Sequence, residues 1–262
     1  MNRLFIRESQ GRLTTEVGNP IDQVNIAVTG LGQNVGTTFV ASSLAFYFAE
    51  KGNKLTFTQC LTPSRCNTLL YDAAAMDQRF HNRIFTDFYE LIKEGKPTKD
   101  KKNIECGINW RIPMPRDCER KLDLDQEERA RLIQGSRGQI CIYDLEAEEE
   151  WDKFLLDMDL TVVVVDPLPS KLIRHSDRFK RLKQMELAGA KVKWLINRAN
   201  AGVNRRQISG YLKTNDLIFI EAFPIEAIYA DELFCKFHWQ NKEIKCKLMD
   251  VFTKVSHEMD VL

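Results

Sequence analysis

The residues best suited to chemistry lie together near the start of the chain, in Gly30-Leu-Gly-Gln-Asn-Val-Gly-Thr-Thr38. Gly30, Gly32 and Gly36 leave the backbone free to approach an anion, and Thr37 and Thr38 add hydroxyls where a helical pattern begins. Before the loop runs an apolar stretch of strand length, Val24 to Val28; after it a helical pattern extends from Thr37 to Lys51 and stops at Gly52. Strand, glycine-rich loop and helix are the parts of a phosphate-binding loop, in which backbone N–H groups and the positive end of the helix hold the phosphates. The full pattern, G-x-x-x-x-G-K-[ST], also carries a lysine for the terminal phosphates and a hydroxyl for a metal ion. With Gly36 as its second glycine, the lysine position is Thr37 and the hydroxyl position is Thr38. The first glycine position falls on Leu31, flanked by Gly30 and Gly32. The loop keeps the architecture and lacks the charge.

The segment Ile26 to Ala45 resembles the opening of the MinD/ParA family of deviant-Walker ATPases, which includes pilus-localisation proteins of the CpaE/TadZ type. The family loop reads K-G-G-x-G-K-[ST] before an Ala-rich helix. Here Gly32 stands at the signature lysine and Thr37 at the Walker lysine. The resemblance implies ATP or ADP with Mg2+ as the ligand, held by Gly30, Gly32, Gln33, Asn34, Val35, Gly36, Thr37 and Thr38, or a fold kept without any ligand. The family places carboxylates after its second strand; this chain has Gln59-Cys-Leu-Thr-Pro-Ser64, which contains none. Gln139 to Glu146 reads as an apolar strand ending in a carboxylate, the layout in which an aspartate orients a metal-bound water. Thr38 and Asp144 are therefore the implied metal ligands, the alternative being that Asp144 caps the next helix. Asn197-Arg198 resembles the family's N-[KR] element, whose asparagine contacts the base, and Phe223-Pro224 resembles the turn before the base-lining loop.

These residues need a scaffold. Lys54 to Gln59, Cys106 to Pro113, Met158 to Pro167, Lys191 to Arg198 and Asp216 to Ile220 read as further strands. The β-branched run Thr161-Val-Val-Val-Val165 has the composition of a strand buried on both faces. Helical patterns lie between them: Asn67 to Glu94, with Phe80, Ile84, Phe88 and Leu91 as an apolar stripe; Asp123 to Gln134; a long helix ending near Gly189; and Asn204 to Lys213. Strands alternating with helices predict a doubly wound, mostly parallel α/β sheet with helices on both faces, the loop opening at its carboxyl edge. A dinucleotide-binding variant would need glycine at Val35 and an acid at Gln59. Residues 1–23 read as a leading arm, with Leu4-Phe-Ile as an edge strand, and residues 24–262 as one domain. The tail from Lys242 to Leu262 reads as an amphipathic helix; packing on the sheet is expected, with peripheral membrane contact the lesser alternative.

A net charge of +1 over 262 residues carries no strong nucleic-acid signal, and no apolar run approaches the roughly 20 residues needed to span a bilayer. A cytoplasmic protein is expected. Seven cysteines without a C-x-x-C pair favour small buried hydrophobes, Cys60, Cys141 and Cys235 among them, over a metal centre. One preorganised charge is worth about 3–4 kcal/mol of transition-state stabilisation, and this chain has lost two lysines and the strand-two carboxylates. The reading is a degenerate MinD/ParA-like protein with little or no ATPase activity, acting in localisation or assembly through a protein partner or homodimer. The alternatives are an ATPase whose missing charge comes from Arg198 or a second subunit, and an ATP-dependent ligase of the dethiobiotin-synthetase type.

Overall fold

A computed structural model describes residues 23–63, 86–113, 122–234 and 236–258. Its eight strands are β1 (Val24–Gly30), β2 (Leu55–Cys60), β3 (Ile104–Glu105), β4 (Ile108–Arg111), β5 (Ile140–Leu145), β6 (Leu160–Val165), β7 (Val192–Ala199) and β8 (Leu217–Glu221). They form one sheet in the order β3-β4-β2-β5-β1-β6-β7-β8, parallel throughout except for the β3–β4 pair. The doubly wound, mostly parallel sheet expected from the sequence is the one observed.

The sequence pattern explains why these strands sit inside. All six residues of β2, β5 and β6 are buried, as both-face coverage of a parallel sheet requires. Successive side chains then serve opposite faces. Ile26, Val28, Ile142, Val162 and Val164 enter one core; Ala27, Cys141, Tyr143, Val163 and Val165 enter the other. Helix α1 (Thr37–Glu50) is buried continuously from Val40 to Phe48 because it lies between the sheet and α9 (Lys242–His257). Ile244, Leu248, Val251, Phe252 and Val255 of α9 are buried in the first core, so this helix packs on the domain as expected. Met259 and the residues after it lie outside the described residues. No described helix is long and apolar enough to cross a membrane.

Among the described residues the remaining α-helices are α2 (Phe88–Lys93), α3 (Gln126–Gln134), α4 (Glu149–Asp152), α5 (Pro169–Arg174), α6 (Ser176–Leu187), α7 (Arg205–Leu212) and α8 (Ile225–Leu233). Local signals set several of their ends. Asp87 caps α2 through the N–H groups of Tyr89 and Glu90, and Asp125 with Glu128 forms a capping box on α3.

Four expectations are corrected. The strand expected from Cys106 is a hairpin: Cys106 and Gly107, both at positive φ, turn β3 into β4. The long helix expected up to Gly189 is interrupted at His175, whose backbone leaves the helical region (φ −103°, ψ 22°). Helix α8 was not foreseen; Pro224 precedes its first residue, where the missing N–H of proline costs nothing. The helix expected over Asn67 to Glu94 does not run through residues 86–87: Asp87 is extended (φ −81°, ψ 105°) and α2 begins at Phe88, while Phe80 and Ile84 lie outside the described residues, as do Leu4-Phe-Ile, Cys66, Cys118 and Cys235. Cys60 and Cys141 are buried; Cys106 and Cys246 are exposed.

Candidate functional site

Strands β1, β5 and β6 are adjacent and parallel, so their carboxyl ends form one edge, and the chain leaves β1 for α1 at that edge. The Leu31 N–H still donates to the Val164 carbonyl (2.8 Å) before the loop turns away. Leu31 and Val35 are buried and anchor the loop; Gly36 (φ 89°, ψ 30°) caps α1 in the left-handed region that favours glycine. No side chain caps α1, which leaves its first-turn N–H groups for a ligand at the strand edge. The close approaches demand glycine: a Cβ on Gly30 would lie 2.3 Å from the Gly32 carbonyl oxygen, and one on Gly36 would lie 2.4 Å from Asn197 Nδ2. The expected strand–loop–helix device is thus present at the expected edge.

Its metal-side residues are already satisfied by each other. Thr38 Oγ1 donates directly to Asp144 Oδ2 (2.8 Å), and Gln59 Nε2 approaches the same oxygen at 3.4 Å from the register position beside it. Burial pushes the Asp144 carboxyl up to about 7, against the downward pull of the hydrogen bonds from Thr38 and Gln59. Further round, Gln33 Nε2 donates to Glu148 (3.0 Å), and Glu146 accepts from the Thr62 N–H (2.6 Å). Among the described residues no cluster of three or more His, Cys, Asp or Glu side chains could hold a metal ion. Thr38 and Asp144 supply one hydroxyl and one carboxylate, a hard-oxygen pair of the kind Mg2+ uses alongside phosphate oxygens.

The position of the signature lysine is filled from elsewhere in the chain. A Cβ on Gly32 would lie 2.2 Å from His175 Nε2, because the break between α5 and α6 lays the His175 ring on this glycine. Burial, then the charges of Arg174, Arg178 and Lys171, hold His175 below its usual value, so the ring is neutral at pH 7. One turn on, buried Arg178 donates to the Gly30 carbonyl (3.0 Å) and Thr29 Oγ1 (3.0 Å) and pairs with Asp152 (2.7 Å). The loop is therefore tied at its start by a guanidinium and covered by an imidazole.

The other half of the edge, over β6, β7 and β8, is open. A cavity of about 950 Å3 lies there, lined by Gly36, Phe39, Leu172, Val203, Phe223 and Ile228 among others. Asn197 reaches it but spends its amide on the loop: Nδ2 donates to the Val35 carbonyl (2.9 Å), and Oδ1 accepts from the Arg198 N–H (2.9 Å). Arg198, itself at φ 59°, donates to the Asn34 carbonyl and to Asp166, both at 3.1 Å. Lys171 also binds Asp166 (2.7 Å). Burial raises the Asp166 carboxyl, but the hydrogen bonds from Lys171 and the Leu168 N–H outweigh it and hold the group below its usual value. Lys171 and Arg198 are thus both engaged with one carboxylate.

The structure brings together Gly30, Gly32, Gln33, Asn34, Val35, Gly36, Thr37, Thr38, Asp144, Asn197 and Arg198 at one sheet edge. Sequence reasoning missed His175, Arg178, Asp166 and Glu148. Asp166 had a signal, since it ends β6 as Asp144 ends β5; His175 and Arg178 had none, because nothing local relates α6 to a loop over 140 residues earlier.

Comparison with solved structures places this architecture. A ParA family ATPase from Chlorobium tepidum TLS aligns with a TM-score of 0.68 and 15% identity, covering 90% of this chain and 98% of that one. The septum site-determining protein MinD from Pyrococcus horikoshii OT3, complexed with Mg-ADP, gives 0.68 and 16%, covering 91% and 96%. MinD in the MinC:MinD cell division complex of Aquifex aeolicus gives 0.66 and 16%, covering 91% and 98%. No protein-family model matches the sequence, and no curated protein matches it. The fold is that of the MinD and ParA ATPases.

Proposed function

We propose that this chain is a degenerate MinD/ParA-like protein that binds ATP or ADP weakly, hydrolyses little or none of it, and acts through protein contacts in localisation or assembly. The observation that carries the reading is a retained glycine cradle and uncapped α1 N-terminus with no lysine at position 32 or 37. Of the cations around the loop, Arg178 is engaged with Asp152 and the Gly30 carbonyl, and Lys171 and Arg198 are engaged with Asp166.

The residues fit a nucleotide in part. The α1 N-terminus and the Gly30–Gly36 backbone would cradle phosphates without a side-chain charge, and the cavity beside Asn197 has room for a base. Thr38 and Asp144 would hold a Mg2+ ion, which would supply positive charge against the phosphates. To receive it, Asp144 must lose its proton, which costs affinity, whereas Thr38 can go on donating to Asp144 because its oxygen lone pairs stay free. That relatives of this fold are known complexed with Mg-ADP and with MinC supports both the ligand and the mode of action. Calorimetric titration with ATP and Mg2+, run beside a phosphate-release assay, tests it: weak binding and negligible turnover are expected, and robust metal-dependent turnover abolished by Asp144→Ala would overturn it.

One observation favours a second reading, an active ATPase. Arg198 lies against the loop at the Asn34 carbonyl and could supply the missing charge on leaving Asp166. Turnover abolished by Arg198→Ala at unchanged ATP affinity would establish that version.

A further inference from the structure

We propose that His175 is a conditional cation of the phosphate loop: its imidazole, laid on Gly32 from the break between α5 and α6, takes up a proton when a nucleoside di- or triphosphate binds, so that binding tightens as pH falls. This role presupposes the nucleotide site proposed above, and it names the side chain that answers the phosphates there and the condition that switches it on.

The contact has a definite geometry. The His175 atoms nearest a Cβ placed on Gly32 are Nε2 at 2.2 Å, Cδ2 at 2.3 Å and Cε1 at 2.6 Å. The far tip of the ring therefore points at the loop and fills the place where a side chain at position 32 would begin. A lysine at position 32 and the ring of His175 exclude each other, and this chain has glycine with the ring. The backbone holds the imidazole there. The His175 N–H donates to the Lys171 carbonyl (3.1 Å), and its carbonyl accepts from the Phe179 N–H (3.0 Å). Arg178, on the same helix, ties the loop through the Gly30 carbonyl (3.0 Å), so ring and loop keep one register. The ring is half-buried, and among the described residues neither of its nitrogens has a hydrogen-bond partner. An imidazole with both nitrogens unspent, at the edge of a glycine cradle, is available to a ligand.

The charges around the ring make its proton depend on an anion. α5 brings Lys171 and Arg174 and α6 brings Arg178; after burial, these three hold His175 below its usual value. Lys171 is paired with Asp166 (2.7 Å) and Arg178 with Asp152 (2.7 Å). Arg174 is exposed and makes no ion pair among the described residues. From the loop side come Gly32 and Gln33, both uncharged, with Gln33 bonded to Glu148 (3.0 Å). Asp144, on β5, is bonded to Thr38 (2.8 Å). Cations on its own side thus oppose a proton on the ring, and a polyphosphate on the loop side would favour one. Binding and protonation then strengthen each other by the same factor. Because the proton is disfavoured without ligand and favoured with it, the gain is complete below the free-state titration and fades as pH rises through the bound-state one. For an imidazole that window falls between about pH 5 and about pH 8.

The test is calorimetric titration of the full chain with ADP, without Mg2+ so that Asp144 is not asked to hold a metal ion, at about pH 5.5 and about pH 8. His175→Gln keeps a polar side chain that does not titrate, and comparing it with the wild type cancels the titration of the phosphates and of Asp144. The two proteins should bind ADP alike at the higher pH, and the wild type should bind about tenfold tighter at the lower one, the worth of one charge-assisted contact. In buffers of different protonation enthalpy, the wild type alone should take up a proton on binding ADP, and adenosine should cause no uptake. Proton NMR of the imidazoles, with His175 assigned by its absence from the variant, should show its titration moving upward with ADP; this reading does not depend on how well the variant folds. ADP affinities that follow the same pH profile in both proteins, or a His175 titration that ADP does not raise, overturn the proposal and leave the nucleotide site standing. Absence of ADP binding by both proteins at both pH values removes the nucleotide site, and this role with it.

Discussion

The two halves of the carboxyl edge differ in how much surface they leave open. On the loop half, over β1, β2 and β5, three polar side chains have partners within the chain: Thr38 with Asp144, Gln33 with Glu148, and Arg178 with Asp152 and the Gly30 carbonyl. On the cavity half, over β6, β7 and β8, a volume of about 950 Å3 stands open beside exposed Leu168, Ile173, Ile225 and Tyr229. The loop half keeps its polar side chains in internal contacts around an uncapped helix N-terminus, and the cavity half presents exposed apolar side chains. The lysine-free loop and the open surface therefore fall on different strands of one edge, and each can be perturbed without the other.

The largest effect should come from Arg178. Replacing it by methionine leaves Asp152 buried and unpaired and should cost about 3–5 kcal/mol of stability in urea unfolding, whereas Arg178→Met with Asp152→Leu should recover most of that. Equal losses in the single and double variants would mean that the pair does not tie the loop half together.

Asp144 comes next, and its sign follows from its raised titration. A carboxyl ordinarily near 3.8 but pushed up to about 7 favours the folded state while protonated, so its contribution is full below about pH 4 and is lost as pH rises to 7. Asp144→Asn should therefore stabilise the protein by about 2–4 kcal/mol at pH 8, with the difference from wild type vanishing toward pH 4. A pH-independent difference would contradict it.

Gly32→Ala should cost about 1–3 kcal/mol by forcing the His175 ring away, and the cost should largely disappear in a His175→Ala background. Additive effects in thermal melts would show that the ring yields freely. Smaller still, Thr37→Lys should tighten ATP binding by about tenfold, or about 1.4 kcal/mol, by restoring charge to a retained cradle. On the cavity half, Ile173→Ser should change the stability of the monomer by less than about 0.5 kcal/mol, because that side chain is 69% exposed.

Local and tertiary information divide along the same line. The sequence by itself determined the strand–glycine–helix loop, the buried parallel strands and the helix facing the core from the tail, because β-branched runs, glycine spacing and helical periodicity act within a few residues. It also placed Asp144, Asn197 and Arg198 at strand ends and Thr38 at the start of the helix after the loop, hence on one edge once the sheet is parallel. It did not show that Asp144 would bond Thr38 directly, that Asn197 would be spent on the loop, or that His175 would fill the space above Gly32. Nor did it show that α8 would face outward, since Ile225, Tyr229 and Leu233 carry the spacing of an ordinary core stripe. Those outcomes depend on which side chain from a distant strand or helix reaches a given point. Short-range pattern specifies the elements, but the partner of each polar group and the cover of each apolar face are decided only when the packed sheet brings residues over 100 positions apart into contact.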